Sequence, residues 1–306
     1  MSLAGTTVIP VNGHGPEDVL VDRDEGVYTG LEDGRIIRVA QEGRRIDTIA
    51  DTGGRPLGLE FLGEDELLVC DADRGLLAVT IADGRVRTLA TEGAGRRLLV
   101  CNNAAVAGDG TVYFSDSSTR FPVREWRADL IEQTGTGRLL RRTPDGAIDL
   151  LADGLQFANG VALIPDESFV TVAESGSCRL RRVWLTGVKQ GRVEVFAGGL
   201  PGYPDNTSTG SDGLIWIAVP SPEVAALNLA RKLPAPARAA VRRAPPWLQP
   251  SPSRTMRALG LDADGRIVQE RYGEVDGFHM MTGVREREGK LYFGSLEERA
   301  IAMLPL

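Results

Sequence analysis

The sequence predicts an all-β fold: a six-bladed β-propeller closed by pairing of its N- and C-terminal strands. Three observations carry this. Short apolar or alternating runs, separated by Asp-Gly, Glu-Gly and Gly-Arg turns, fill almost all of the 306 residues, the pattern of strands joined by tight turns. The runs fall into successive groups of four. The last group holds only three, and Thr6–Val11 at the other end of the chain is of strand type and supplies the fourth. Closure of this kind leaves no exposed sheet edge.

The blades follow in order. The first spans EDVLVDRD to RRIDTIAD (17–51), the second PLGLEFLG to GRVRTLAT (56–91), and the third NNAAVAGD to AIDLLADG (102–154). The fourth runs from NGVALIPD to RVEVFAGG (159–199), the fifth from NTSTGSDG to RIVQERYG (206–273), and the sixth from TGVREREG to AIAMLPL (282–306). The repeat crosses the chain without a linker, which argues for one propeller domain over residues 1–306 and against a pair of β-sandwiches. Two insertions, 118–137 and 221–253, break the rhythm between second and third strands, on the face where inner strands begin. They are expected to form a lid, the second with helices at 224–232 and 235–243.

Composition sets limits. With 42% hydrophobic and 25% charged residues, the chain matches an ordinary soluble protein. Its net charge of −7 argues against a general nucleic-acid binder. No apolar run approaches the ~20 residues of a membrane span, and although the second insertion could lie on a membrane surface as a basic amphipathic helix, its short helices and the negative net charge make membrane association the lesser expectation. The opening MSLAGTTVIP lacks a basic region followed by an apolar one. Cys70, Cys101 and Cys178 have no metal-ligand spacing and read as buried thiols. Both features suit a cytoplasmic location.

The chemistry lies in a shared phase. Glu17, Asn102, Asn159 and Asp205 each open a segment that ends seven positions later in an acidic turn residue, before the next strand. In a propeller that phase brings the four side chains to equivalent places around the axis. The matching positions near Pro56-Leu57 and Met281 carry no oxygen ligand, so the position is not polar by default. Two carboxylates and two amides neutralise a divalent cation and leave room for water or substrate, and Ca²⁺ suits them better than Mg²⁺ or Mn²⁺. Asn206 adds a further oxygen. Asp18 and Asn103 either support these ligands or hold a second ion lower in the channel.

The stretches GRPLGLEF, YFSDSS, GRLLRRTPDG, FANGVALIPDESFVTVAES and LPGYPDN resemble the strictosidine synthase-like branch of six-bladed propellers. Its relatives include the adipocyte plasma membrane-associated protein, the gluconolactonase and senescence-marker proteins, and the paraoxonases. The resemblance implies a central Ca²⁺ held by Glu17, Asn102, Asn159 and Asp205, with Asn206 matching a further ligand of paraoxonase-like sites. Two departures matter. Strictosidine synthase itself uses a glutamate before the last inner strand, where this chain has Gly277-Phe278-His279-Met280-Met281-Thr282. Paraoxonases place a catalytic histidine where this chain has Arg55-Pro56-Leu57.

Metal-assisted hydrolysis of a small-molecule ester or lactone is the chemistry that remains. Asp205 is the first candidate for general base or nucleophile, and His279 the second. His14 follows. Arg55, Phe121 and Trp126 are the candidate substrate-binding residues. Arg124, Arg127, Arg231, Lys232, Arg238, Arg242 and Arg243 are expected to bring positive charge to the mouth. The alternatives are a binding propeller with a structural Ca²⁺, and a condensing enzyme, which the missing glutamate weakens.

Overall fold

The computed structural model describes residues 1–306, apart from the side chain of Pro246. Six four-stranded sheets stand around an axis, each in simple up-and-down order. From inner to outer strand, blade one is Leu20–Val21, Val27–Gly30, Arg35–Ala40 and Arg45–Asp51, and blade two is Pro56–Leu62, Glu66–Asp71, Gly75–Thr80 and Val86–Ala90. Blade three is Cys101–Val106, Val112–Asp116, Gly137–Arg142 and Ile148–Leu155, and blade four is Ala158–Leu163, Phe169–Glu174, Arg179–Trp184 and Val193–Ala197. Blade five is Thr207–Thr209, Ile215–Val219, Met256–Leu261 and Ile267–Gly273. Blade six takes Met281–Arg287, Lys290–Ser295 and Ala300–Pro305 from one end of the chain and Thr7–Pro10 from the other. The closing register pairs Thr7 with Met303 and Pro10 with Ala300.

The alternation in each strand explains why the blades stack. Apolar side chains on facing sheets bury against each other, so the core consists of wedges between neighbouring blades. Leu59, Leu67 and Val69 of blade two meet Leu20, Tyr28 and Ile36 of blade one. The ring ends where Ile9 and Ile301 of blade six meet Val19 and Ile37 of blade one. The Asp-Gly turns work locally: Asp109 and Asp212, for example, each accept the backbone N–H two residues on through Oδ1, at 2.8 and 3.0 Å. A short hairpin that the sequence pattern did not announce, Glu92–Gly93 with Arg96–Arg97, lies between blades two and three. Among the described residues, no helix is long and apolar enough to cross a membrane.

Two recurring devices shape the start of the inner strands. In four blades the last residue of the second strand reaches back to the segment that enters the first. Asp71 Oδ1 accepts Arg55 N at 3.0 Å, Asp116 Oδ1 accepts Val100 N at 2.8 Å, Glu174 Oε1 accepts Gln156 N at 3.0 Å, and Ser295 Oγ donates to His279 O at 2.6 Å. In the same four blades the inner strand shifts register at once, between Pro56 and Leu59, Cys101 and Ala104, Ala158 and Val161, and Met281 and Val284. A bulge there re-aims the side chain next to it. Glycine lets adjacent inner strands approach: a Cβ on Gly160 would lie 2.1 Å from Thr207 N.

The Asp116 device is anchored by Arg138. Both side chains are fully buried and paired at 2.5 Å, and Arg138 also donates to Gly93 O at 2.7 Å and Arg97 O at 3.1 Å. Replacing Arg138 with Leu leaves a buried carboxylate without its cation, a loss of about 3–5 kcal/mol. Urea unfolding of Arg138→Leu is expected to show that loss, and a change below about 1 kcal/mol would contradict this account of the pair.

Candidate metal centre

Glu17, Asn102, Asn159 and Asp205 converge at the axis, where all four line the floor of one pocket. Glu17, Asn102, Asn159 and Asn206 are almost fully buried, whereas Asp205 keeps some exposure toward the pocket. Asn102 and Asn159 sit at the bulges of blades three and four. Asp205 is held by its own blade, donating its backbone N–H to Ala218 O at 2.8 Å, and Asp205 O accepts from Gly160 N at 3.2 Å across the blade boundary.

The amide groups are oriented by the carboxylates. Asn159 Nδ2 donates to Asp205 Oδ1 at 2.8 Å and to Ser175 Oγ at 3.3 Å, and Ser175 Oγ donates to Pro204 O at 2.6 Å. Asn206 Nδ2 donates to both oxygens of Glu17 at 3.1 Å. Two of the three nitrogens are so engaged, and Asn102 Oδ1, Asn159 Oδ1 and Asn206 Oδ1 are all buried without a hydrogen-bond partner. Orphaned buried acceptors are costly, and here three stand beside two carboxylates. Burial drives the Glu17 pKa well above the usual range, the charges of Asp205 and Asp18 add to this, and Arg55 and Asn206 oppose it. Burial likewise raises Asp205 to about 7, with the Asn159 hydrogen bond opposing and the Asp18 charge adding. Oxygen-only donors, two of them charged, fit a hard divalent cation.

Below the floor, Asp18 and Asn103 are tied to neighbouring blades. Asn103 Oδ1 accepts Val161 N at 2.8 Å, and Asn103 Nδ2 reaches Asp18 Oδ2 at 3.4 Å, so the amide bridges blades. Asp18 Oδ2 also accepts Leu59 N at 3.2 Å. Burial lifts Asp18 to about 6, and the neighbouring Arg285 guanidinium is the chief opposing influence. Arg285 pairs with Glu60 at 3.0 Å and donates to Leu59 O at 3.3 Å. The Arg285 guanidinium thus lies near enough to Asp18 to oppose the effect of its burial.

The lid forms as helices over this floor. The first insertion contains α1 (Trp126–Glu132), and the second contains α2 (Ala225–Arg231) and α3 (Ala235–Arg243). Leu130, Ile131 and Leu227 of the lid pack with Phe157, Cys178 and Tyr203 of the propeller. The pocket between lid and floor is about 860 Å³, open mouth included, with walls such as Leu57, Trp126, Ile131, Phe157, Leu227 and Leu296.

Several expected site residues lie elsewhere. Trp126 lines the pocket, but Phe121 and Arg55 do not. Phe121 is buried, with Arg120 and Arg242 over its ring. Arg55 is buried, donating to Gly15 O at 2.9 Å. His279 is not on the wall either: Nε2 meets Glu297 at 3.1 Å, and Nδ1 is engaged by Glu298. With both ring nitrogens on carboxylates, it is not placed to take a proton in the pocket. His14 pairs with Glu32 at 2.6 Å. Of the seven basic residues expected at the mouth, Arg127 alone lines the pocket. Arg242 meets Glu132 at 2.5 Å, and Arg231 donates to Leu130 O at 2.9 Å, so these charges hold the lid together.

Residues missed from sequence include Ser175, Tyr203, Thr282 and Met280, all on the pocket. Thr282 Oγ1 donates to Glu17 O at 2.8 Å, and Tyr203 Oη accepts Val224 N at 3.0 Å to anchor the second insertion. Thr282 lies one residue from Met281, where the blade phase had pointed. Ser175 and Tyr203 carry no comparable signal.

A pH dependence follows. Asp205 rises from an ordinary 3.8 to about 7 on folding, so the metal-free fold binds more protons than the unfolded chain from about pH 4 to 7. Its stability falls as pH rises through that window. The Tm of chelator-treated protein is expected to drop between pH 5 and 8, and added Ca²⁺ to raise it most at pH 8. A flat profile, or equal Ca²⁺ effects at both pH values, would contradict the burial of these carboxylates. Gly160→Ala, which drives a methyl group into the backbone at Thr207, is expected to weaken Ca²⁺ binding at least tenfold in a titration; unchanged affinity would show that close strand contact is not what positions the floor.

Comparison with known proteins agrees with this architecture. Residues 102–188 match the strictosidine synthase family model, and residues 2–39 match the strictosidine synthase-like N-terminal model. Over 298 residues the chain is 34% identical to strictosidine synthase-like protein 6 of Arabidopsis thaliana, covering 95% of this chain and 79% of that one. Among solved structures, a gluconolactonase from Xanthomonas campestris aligns with a TM-score of 0.71 at 18% identity, covering 98% of this chain and 89% of that one. Regucalcin from Agrobacterium tumefaciens, described as a calcium-binding protein, aligns with a TM-score of 0.65 at 14% identity, covering 96% and 90%. The six-bladed propeller, its closure and the relatedness across nearly the whole chain place this protein in the strictosidine synthase-like family.

Proposed function

We propose that this protein is a calcium-dependent hydrolase of apolar esters or lactones. The observation that carries the reading is the set of three partnerless amide oxygens, Asn102 Oδ1, Asn159 Oδ1 and Asn206 Oδ1, beside the Glu17 and Asp205 carboxylates under an apolar pocket. These five residues would hold the ion. When bound, Ca²⁺ supplies a Lewis acid for the substrate carbonyl and balances the two carboxylate charges. The gluconolactonase and calcium-binding neighbours support the same reading.

The chain's own residues do the rest. Asp205 Oδ1 is held by Asn159 Nδ2, which fixes the carboxylate plane. Among the described residues Oδ2 accepts no side-chain hydrogen bond, and it is the atom that takes the proton from attacking water. The lid walls bind the apolar part of the substrate and keep bulk water from the reacting centre. From blade six the pocket receives Met280, Thr282 and Leu296 and no carboxylate, which does not favour amine condensation.

Hydrolysis of a panel of aryl esters and small lactones, by chelated and Ca²⁺-restored protein, tests this. Activity is expected only with Ca²⁺, and Asp205→Asn is expected to lower kcat by about 10²- to 10⁴-fold, the usual contribution of a general base. Activity that survives chelation, or an Asp205→Asn variant with full kcat, would overturn the mechanism. Saturable Ca²⁺ binding with no turnover across the panel would instead favour a binding propeller with a structural ion.

A further inference from the structure

The pocket has one charged group on its wall that the proposed hydrolysis does not use. Arg127, on α1, lines the cavity. Its Nε is buried without a partner, and among the described residues the guanidinium makes no hydrogen bond. Its ion-pair neighbour is Glu297, at 3.7 Å, longer than a hydrogen bond. Glu297 is itself shared, since its Oε2 faces His279 Nε2 at 3.1 Å. The Arg127 Cζ lies over the Trp126 ring, 5.1 Å from its centroid.

The neighbouring lid cations are occupied differently. Arg231 donates to a backbone carbonyl, and Arg120 and Arg242 both hold Glu132, at 2.9 and 2.5 Å. Arg231 Nη2 and Arg238 Nε are also buried without a partner, but of the three residues only Arg127 lines the pocket, with its side chain 33% exposed and no hydrogen bond made. A buried donor such as its Nε is costly unless something accepts from it. A carboxylate matches the guanidinium with two parallel hydrogen bonds, which a neutral ester or alcohol cannot do. The pocket thus has two charged stations, the axial floor and Arg127, in a largely apolar lining.

We propose that the substrate is amphiphilic, an ester or lactone with an apolar body and a free carboxylate, and that Arg127 binds that carboxylate. The substrate class rests on the hydrolase reading, but the anion site does not. Arg127 sets affinity and choice of substrate and takes no part in bond breaking.

The test is calorimetric binding of octanoate and of 1-octanol to Ca²⁺-loaded full chain, for wild type, Arg127→Met and Arg127→Lys. Wild type is expected to bind octanoate about tenfold to a hundredfold more tightly than octanol, the range of a charge-assisted pair. Arg127→Met should abolish that preference and leave octanol binding unchanged, since it keeps the apolar bulk, and Arg127→Lys should keep part of it. Absence of octanoate binding, or equal affinity for acid and alcohol in wild type, overturns the proposal. So does a preference that survives Arg127→Met, because the carboxylate then sits on the axial floor. Neither readout needs turnover: an inactive protein with an Arg127-dependent preference retires the hydrolase and keeps the anion site.

Discussion

Everything at the axis follows from one electrostatic constraint. Two carboxylates, Glu17 and Asp205, are buried close enough for each to raise the other's proton affinity or share a neighbour that does. Three amide oxygens beside them have no donor. Burial without compensation is unfavourable for every one of these groups. The surrounding amide nitrogens relieve part of the cost, and Arg55 opposes the rise at Glu17. What remains is a need for positive charge with several oxygen ligands, which is the role assigned to the ion. One level lower in the channel the positive charge belongs to a side chain, Arg285, set among Asp18, Glu60 and backbone carbonyls. The contrast explains one proposed ion rather than two.

The propeller matters because it holds those groups against their mutual repulsion. Four of the six blades tie a short entry segment to their own second strand and follow it with a bulge, and in blades three and four that bulge carries Asn102 and Asn159. Asp71, Asp116, Glu174 and Ser295 perform the tie with three different side-chain types, so the geometry recurs where the chemistry varies. The lid is built on the opposite logic. Its cations are mostly spent on internal contacts, which leaves the walls apolar and Arg127 as the odd group.

Much of this was legible in the chain. The four-strand period, the completion of blade six by Thr7–Pro10 and the common position of Glu17, Asn102, Asn159 and Asp205 are local or periodic, and a periodic signal survives without knowledge of contacts. Helices α2 and α3 were legible for the same reason. The misreadings all concern partners distant in sequence. His279 was expected to face the pocket, yet its ring is held by Glu297 and Glu298. Arg242 was expected to offer free charge, yet it answers Glu132, 110 residues away. Asn103 was left open as a support for the ligands or part of a lower ion site, and its oxygen serves Val161 N in the next blade. Residue type and phase identify who stands at the axis; which oxygens are already satisfied depends on the packed neighbours.

The most direct measurement of the central claim is a Ca²⁺ titration of metal-stripped protein at pH 7, in two buffers of different ionisation enthalpy. The account predicts one saturable ion per chain, with net proton release because Asp205 and Glu17 give up protons as the ion enters, and loss of that binding in Glu17→Gln. No saturable binding by a folded chain, or binding that Glu17→Gln leaves intact, would contradict it.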